Sequence, residues 1–168
     1  MKASETDLKN LRAADIMNED LIYAATEMTV LELVKLFRNY EVRGVPVIDS
    51  EGKAVGVVSE TDVVKVEADK EASDAQVPPY FRTAWEDWDS GPESVDYDKL
   101  DISAERTVEE IMTPGVISVR EDASVAQVAQ RMLEDKIHRV FVTDPRGQLK
   151  GIIGTLDLIQ LLVQAGKA

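Results

Sequence analysis

The sequence predicts an α/β fold made of two copies of one unit, each running strand, helix, strand, strand, helix. Two observations carry this. Residues 16–65 lie on residues 111–160 at a constant shift of 95 without a gap, and both copies carry the same order of strand and helix signals. Identical pairs include Ile16 with Ile111, Met17 with Met112, Val30 with Val125, Val47 with Val142, Gly56 with Gly151 and Asp62 with Asp157.

The elements follow in order. "DLIYAA" and "GVISVR" read as short strands, and each leads into a capped helix start. Thr29 with Glu32, and Ser124 with Gln127, have the spacing of a capping box, in which two backbone donors at a helix start are satisfied reciprocally. Val30, Leu33, Val34 and Phe37 then share one helical face, as do Val125, Val128, Ala129 and Met132. "GVPVID" and "RVFVTD" are the next strands, each closed by a turn, "DSEG" or "DPRG". Asp144, Pro145 and Gly147 stand where a type I turn favours them, so each unit holds a hairpin. The returning strands "GVVSETDVV" and "GIIGTLDLI" break at Asp62 and Asp157, where a second helix begins.

The repeats set the boundaries: an N-terminal extension over 1–13, the first repeat over 14–66, an insertion over 67–106, and the second repeat over 107–165. The insertion holds twelve acidic residues against four basic ones, a net of −8 out of the chain's −13. It also carries five of the nine aromatic residues, Tyr80, Phe81, Trp85, Trp88 and Tyr97. Phe81, Trp85 and Trp88 have helical spacing, which leaves two readings: a face packed on the module itself, or a docking patch for a protein partner within 75–100. "DWDSG" at Asp87–Gly91 begins like a calcium loop but lacks the remaining ligands, so a solvated acidic loop is expected and no metal site.

Composition narrows the function classes. With 168 residues, 44% apolar and 30% charged, the chain reads as one ordinary globular domain or two small ones. A charge of −13 argues against nucleic acid, which needs clustered Lys and Arg. No run approaches the roughly 20 apolar residues of a membrane span, and "MKASETDLKN" lacks the apolar core of a signal peptide, so a cytoplasmic protein is expected. There is no cysteine, one histidine, no G-x-S-x-G, no G-x-x-x-x-G-K-[ST] and no G-x-G-x-x-G. Nucleophilic and dinucleotide chemistry therefore lack their parts, and the expectation is a protein that is not an enzyme.

The doubled capped helix, the "VPVID" hairpin, "IMTPGVISV" and the Gly-apolar-apolar-Ser/Thr-x-x-Asp corner together resemble a tandem CBS pair, the Bateman module, over about residues 14–66 and 107–165. The resemblance implies repeats related by a pseudo-twofold, with clefts that bind adenosine-containing ligands such as AMP, ADP, ATP or S-adenosylmethionine. It implies that Asp62 and Asp157 receive ribose hydroxyls and that Ser59, three residues before Asp62, helps hold phosphate, with Thr61 beside it. That chemistry is intelligible without the family. A carboxylate offers two acceptors to a vicinal diol, and N–H groups at a helix start favour an anion.

The second corner has Gly154 where the first has Ser59, with Thr155 as the neighbouring hydroxyl. The resemblance further implies that the His138–Arg139 pair of "HRVFV" reaches phosphate in the Asp62 cleft, while the first repeat has only Arg43, followed by Gly44, for the Asp157 cleft. One competent site and one altered site are expected. The last helix, "TLDLIQLLV", is apolar nearly all round and calls for cover on every side, so a homodimer is expected. The whole reads as a non-catalytic regulatory module that binds an adenosine nucleotide and signals to a partner protein. Its rival is a constitutive interaction dimer with empty clefts.

Overall fold

The computed structural model describes residues 8–68 and 106–166. In chain order the elements are α1 (Ala13–Ile16), β1 (Ala24–Ala25), α2 (Val30–Tyr40), β2 (Gly44–Ile48), β3 (Ala54–Ser59) and α3 (Glu60–Ala68). After the insertion come α4 (Val108–Ile111), β4 (Thr113–Pro114), β5 (Ser118–Arg120), α5 (Val125–Asp135), β6 (Arg139–Thr143), β7 (Leu149–Gly154) and α6 (Thr155–Ala165). The predicted unit thus occurs twice, while residues 69–105 of the insertion lie outside the described residues. Of the six-residue stretch Asp20–Ala25 only Ala24 and Ala25 pair, parallel to Val47 and Ile48, and Tyr23 just before them is half exposed.

Local chemistry explains each helix start. Thr29 Oγ1 accepts from the Glu32 N–H at 3.2 Å while Glu32 Oε2 accepts from the Thr29 N–H at 2.9 Å; Ser124 and Gln127 repeat the exchange at 3.2 and 2.8 Å. The Thr29 backbone N–H, and then its hydroxyl, hold the Glu32 carboxyl below its ordinary 4.5. A carboxylate lowered in this way lends stability above that value, which is lost as pH falls through the folded value. Both hairpin turns close alike: Asp49 Oδ1 accepts from the Glu51 and Lys53 N–H groups, and Asp144 Oδ1 from those of Arg146 and Gln148. Gly52 and Gly147 end these turns at φ 77° and 83°, where a side chain would be strained.

Two compact units result, and neither coincides with one sequence repeat. Ile22–Val116 forms the first, and Met1–Leu21 with Ile117–Ala168 forms the second. In the first, the sheet runs β1-β2-β3-β4, parallel at β1/β2 and antiparallel thereafter. Val30, Leu33, Val34 and Phe37 of α2 pack with Val45, Val47, Val58 and Val63, and Val108 of α4 completes the same core. In the second, the sheet runs β5-β6-β7, parallel at β5/β6 and antiparallel at β6/β7, with Val128, Met132, Val140, Phe141, Val142, Ile153 and Ala13 buried.

Each unit therefore takes its lead segment from the other repeat, and the hydrogen bonds correspond residue for residue at the shift of 95. The Ala13 N–H donates to the Ala123 carbonyl at 2.8 Å, as that of Val108 does to Met28 at 2.8 Å. Ala14 donates to Glu121 at 3.0 Å, as Glu109 does to Thr26 at 3.1 Å. Val125 donates back to Leu11 at 3.3 Å, as Val30 does to Arg106 at 2.9 Å. Asn18 then bridges Ile152 and Thr113 pairs with Val57, so that each lead segment covers the open edge of a hairpin.

The shared glycines of the repeat make this approach possible. A Cβ at Gly56 would stand 2.7 Å from the Thr113 carbonyl oxygen and 2.8 Å from Met112 Sδ, and one at Gly151 would stand 2.7 Å from Met17 Cγ and Sδ. Both distances are far inside contact, so a side chain there displaces the lead segment. The obstacle at 56 includes a backbone oxygen, and that at 151 runs back along Met17 to its Cβ, 2.9 Å away, which a rotamer change does not move. Gly56→Ala and Gly151→Ala are each expected to cost about 2–3 kcal/mol in urea denaturation. A cost below about 1 kcal/mol at either position would contradict the close approach.

Candidate functional site

The corner at the end of β3 is built by helix capping. Ser59 precedes α3, and both its N–H and its hydroxyl donate to Asp62 Oδ2 at 2.8 Å. The carboxylate thereby satisfies a donor that the helix leaves open and sits at the positive end of the helix dipole. Both bonds fall on one oxygen, which leaves Oδ1 to accept from elsewhere. At the end of β7 the same arrangement is reduced by one contact: the Gly154 N–H donates to Asp157 Oδ2 at 2.7 Å, and there is no hydroxyl beside it.

The neighbouring hydroxyl does not replace the missing one. Thr155 donates from its N–H at 2.9 Å and from Oγ1 at 3.1 Å to the carbonyl of His138, so its side chain is turned to the start of β6. In the first unit the equivalent backbone bond runs from Glu60 N–H to the Arg43 carbonyl at 2.9 Å, and the Glu60 carboxylate lies 3.9 Å from Arg43 Nε. Arg43 thus lies within ion-pair range of Glu60 at the corner of its own unit, and Glu60 is a residue that sequence reasoning passed over. A signal existed: Glu60 and Arg43 flank strands that pair end to end, Gly44 opposite Ser59.

The candidate residues divide between the units. Arg43, Ser59, Thr61 and Asp62 belong to Ile22–Val116, with Ser59 and Asp62 half-buried and Thr61 exposed. His138, Arg139, Thr155 and Asp157 belong to the other unit, His138 being exposed and Arg139 standing opposite Gly154 in the β6/β7 pair. Among the described residues no three His, Cys, Asp or Glu side chains are grouped to hold a metal ion. Nor, among them, is any helix long and apolar enough to cross a membrane.

A Ser59 hydroxyl with one proton can donate to Asp62 or to a phosphate oxygen, not to both. In this geometry it orients the carboxylate. What the corner offers a ligand is a fixed acceptor at Asp62, at the N-terminus of a nine-residue helix.

Comparison with known proteins agrees with this architecture. The CBS domain family model matches twice, at residues 13–69 and 108–164. An uncharacterized protein of Methanocaldococcus jannaschii is 27% identical over 151 residues, covering 89% of each chain. Two enzymes of the same organism, inosine-5'-monophosphate dehydrogenase and L-aspartate semialdehyde sulfurtransferase, also match, but the chain spans only 23% and 22% of their lengths. Among solved structures, CBSX2 in complex with AMP superposes with a TM-score of 0.62 at 23% identity, over 92% of this chain and 98% of that one. The CBS domain pair of protein MJ0100, in complex with 5-methylthioadenosine and S-adenosyl-L-methionine, gives 0.57 at 25% identity, over 94% and 98%. With its family model matched twice across most of its length, the chain belongs to the CBS-domain family as a tandem pair.

Proposed function

We propose that the chain is a non-catalytic regulatory module of the cytoplasm that binds one adenosine-containing ligand, AMP, ADP, ATP or S-adenosylmethionine, chiefly through the Ser59–Asp62 corner. The observation that carries the reading is the completeness of that corner. Ser59 fixes one oxygen of Asp62 through two bonds, leaving the other oxygen to meet a ribose hydroxyl, whereas Asp157 is held through a single bond from Gly154. The ligands named with the similar structures, AMP in one and 5-methylthioadenosine with S-adenosyl-L-methionine in the other, share the adenosine that such a corner suits.

In this reading Thr61 lines the exposed first turn beside Asp62, and His138 and Arg139 are the further candidates for contact with a ligand's phosphate or equivalent end. The altered corner is that of Thr155 and Asp157, where the His138 carbonyl already takes the threonine hydroxyl, and Arg43, its further candidate, lies 3.9 Å from Glu60 in its own unit. Binding shifts the module between arrangements only by its differential affinity for them. The output passes to a protein partner through residues 75–100, which lie outside the described residues.

One observation also supports the dimer, and with it the rival reading of a constitutive interaction protein. No residue of α6 is buried, although Leu156, Ile159, Leu162 and Val163 are between 47% and 66% exposed. A helix apolar on these faces is stabilised by a partner surface, and a second copy is the symmetric solution.

A thermal-shift series with AMP, ADP, ATP, S-adenosylmethionine, NADH and GTP tests the ligand class. A ligand at one hundred times its Kd adds about 2.7 kcal/mol, or roughly 5–10 °C here. Silence from every adenosyl compound at saturation favours the constitutive dimer. Asp62→Asn keeps an acceptor for the Ser59 N–H and is expected to change stability by less than about 1 kcal/mol while weakening binding ~10–100-fold by calorimetry. Asp157→Asn is expected to change binding little; equal losses from the two would remove the asymmetry. Leu162→Glu is expected to yield monomers in light scattering.

A further inference from the structure

The exchanged lead segments have a consequence that does not depend on any ligand. Residues 8–68 and 106–166 each build parts of both units: the first half supplies α1 to the unit of the second, and the second half supplies α4 and β4 to the unit of the first. We infer that the two halves of the chain are obligate folding partners that recognise each other without the connecting peptide, so that a chain cut between them stays assembled and halves can be traded between copies.

Three observations carry this. The first is that the exchanged segments are core and not trim: Ala13 and Val108 are both fully buried, and Val108 belongs to the cluster centred on Leu33, Phe37 and Val47. Without its lead segment each half exposes a core and an unpaired strand edge, the two features a stable unit must cover.

The second is that the recognition is specific at the level of shape and backbone. Met112 lies over Gly56 and Met17 over Gly151, each sulfur filling the space a Cβ would take. Around them run the backbone bonds from Ala13, Ala14 and Asn18 in one unit and from Val108, Glu109 and Gly115 in the other. Gly115, at φ 86°, turns the chain so that its N–H reaches the Val55 carbonyl at 2.8 Å. Such edge pairing with a side-chain knob is how one polypeptide binds another by strand addition.

The third is that the exchange is reciprocal. Two docking events join the same two halves, so once one has formed the other is intramolecular, and the pair is bivalent. The connector adds effective concentration and contributes none of these bonds.

The test replaces residues 87–92 with a protease recognition site and cuts the protein after it has folded. The expected result is a single species of unchanged elution volume, one-to-one by native mass spectrometry, with an unaltered circular dichroism spectrum. In the Leu162→Glu background its urea midpoint rises with protein concentration, as a two-chain species requires, while that of the uncut variant does not. A cut, isotope-labelled sample that is unfolded, mixed with unlabelled cut protein and refolded is expected to return hybrid pairs. Halves that separate at micromolar concentration after cutting would overturn the inference, whether they remain folded singly or not. So would failure of the denatured halves to re-pair under conditions where uncut protein refolds.

Discussion

The fold depends on one close approach, made twice. A strand edge that ends in Ser59 or Gly154 is open on its outer side until a segment from the other repeat lies along it, and only a glycine at 56 or 151 lets that segment come near enough. Covering the edge also delivers the last core residue, Val108 or Ala13, so the sheet and the interior are completed together. An unpaired edge and an unfilled core are both costly, which is why neither repeat is a finished unit by itself. The tandem arrangement is thus a requirement of packing before it is a device for binding.

The corner that follows each of these strands inherits a dual character. Asp62 and Asp157 begin as helix caps, and capping alone explains their presence in both repeats. The second donor at Ser59 is itself a capping feature, since Thr29 gives its N–H and its hydroxyl to one oxygen of Glu32 in the same way; what sets the Asp62 corner apart from its repeat is the hydroxyl that Gly154 lacks. The repeats diverge where ligand chemistry would be sensitive and agree where packing is. Gly56 and Gly151 match because the lead segment needs the space, while Ser59 and Gly154 differ because either permits the backbone bond.

Much of this was legible in the sequence because it is local. The capping boxes at Thr29 and Ser124 and the hairpin turns at Asp49 and Asp144 depend on residues three or four apart, and the helical faces on periodicity. The exchange was not legible, because pattern identifies a strand edge without saying which copy's segment covers it. The matched Ile-Met and Gly pairs were its trace: a bulky residue and a missing side chain kept at corresponding places imply contact, but not with which repeat. The bonds of Thr155 and Arg43 were hidden for a similar reason, since both depend on which carbonyl or carboxylate the neighbouring strand presents. The aromatic spacing of Phe81, Trp85 and Trp88 concerns residues outside those the structure describes.

The central proposal is that the Ser59–Asp62 corner, more than its repeat, receives an adenosine ligand. The most direct measurement is a titration of isotopically labelled protein with AMP, followed at the backbone amides. The account predicts saturable shifts at Ser59, Glu60, Thr61 and Asp62, joined by His138 and Arg139, with Gly154 to Asp157 changing less. Equal shifts at both corners, or none at Ser59 to Asp62 when AMP is saturating elsewhere, would contradict it.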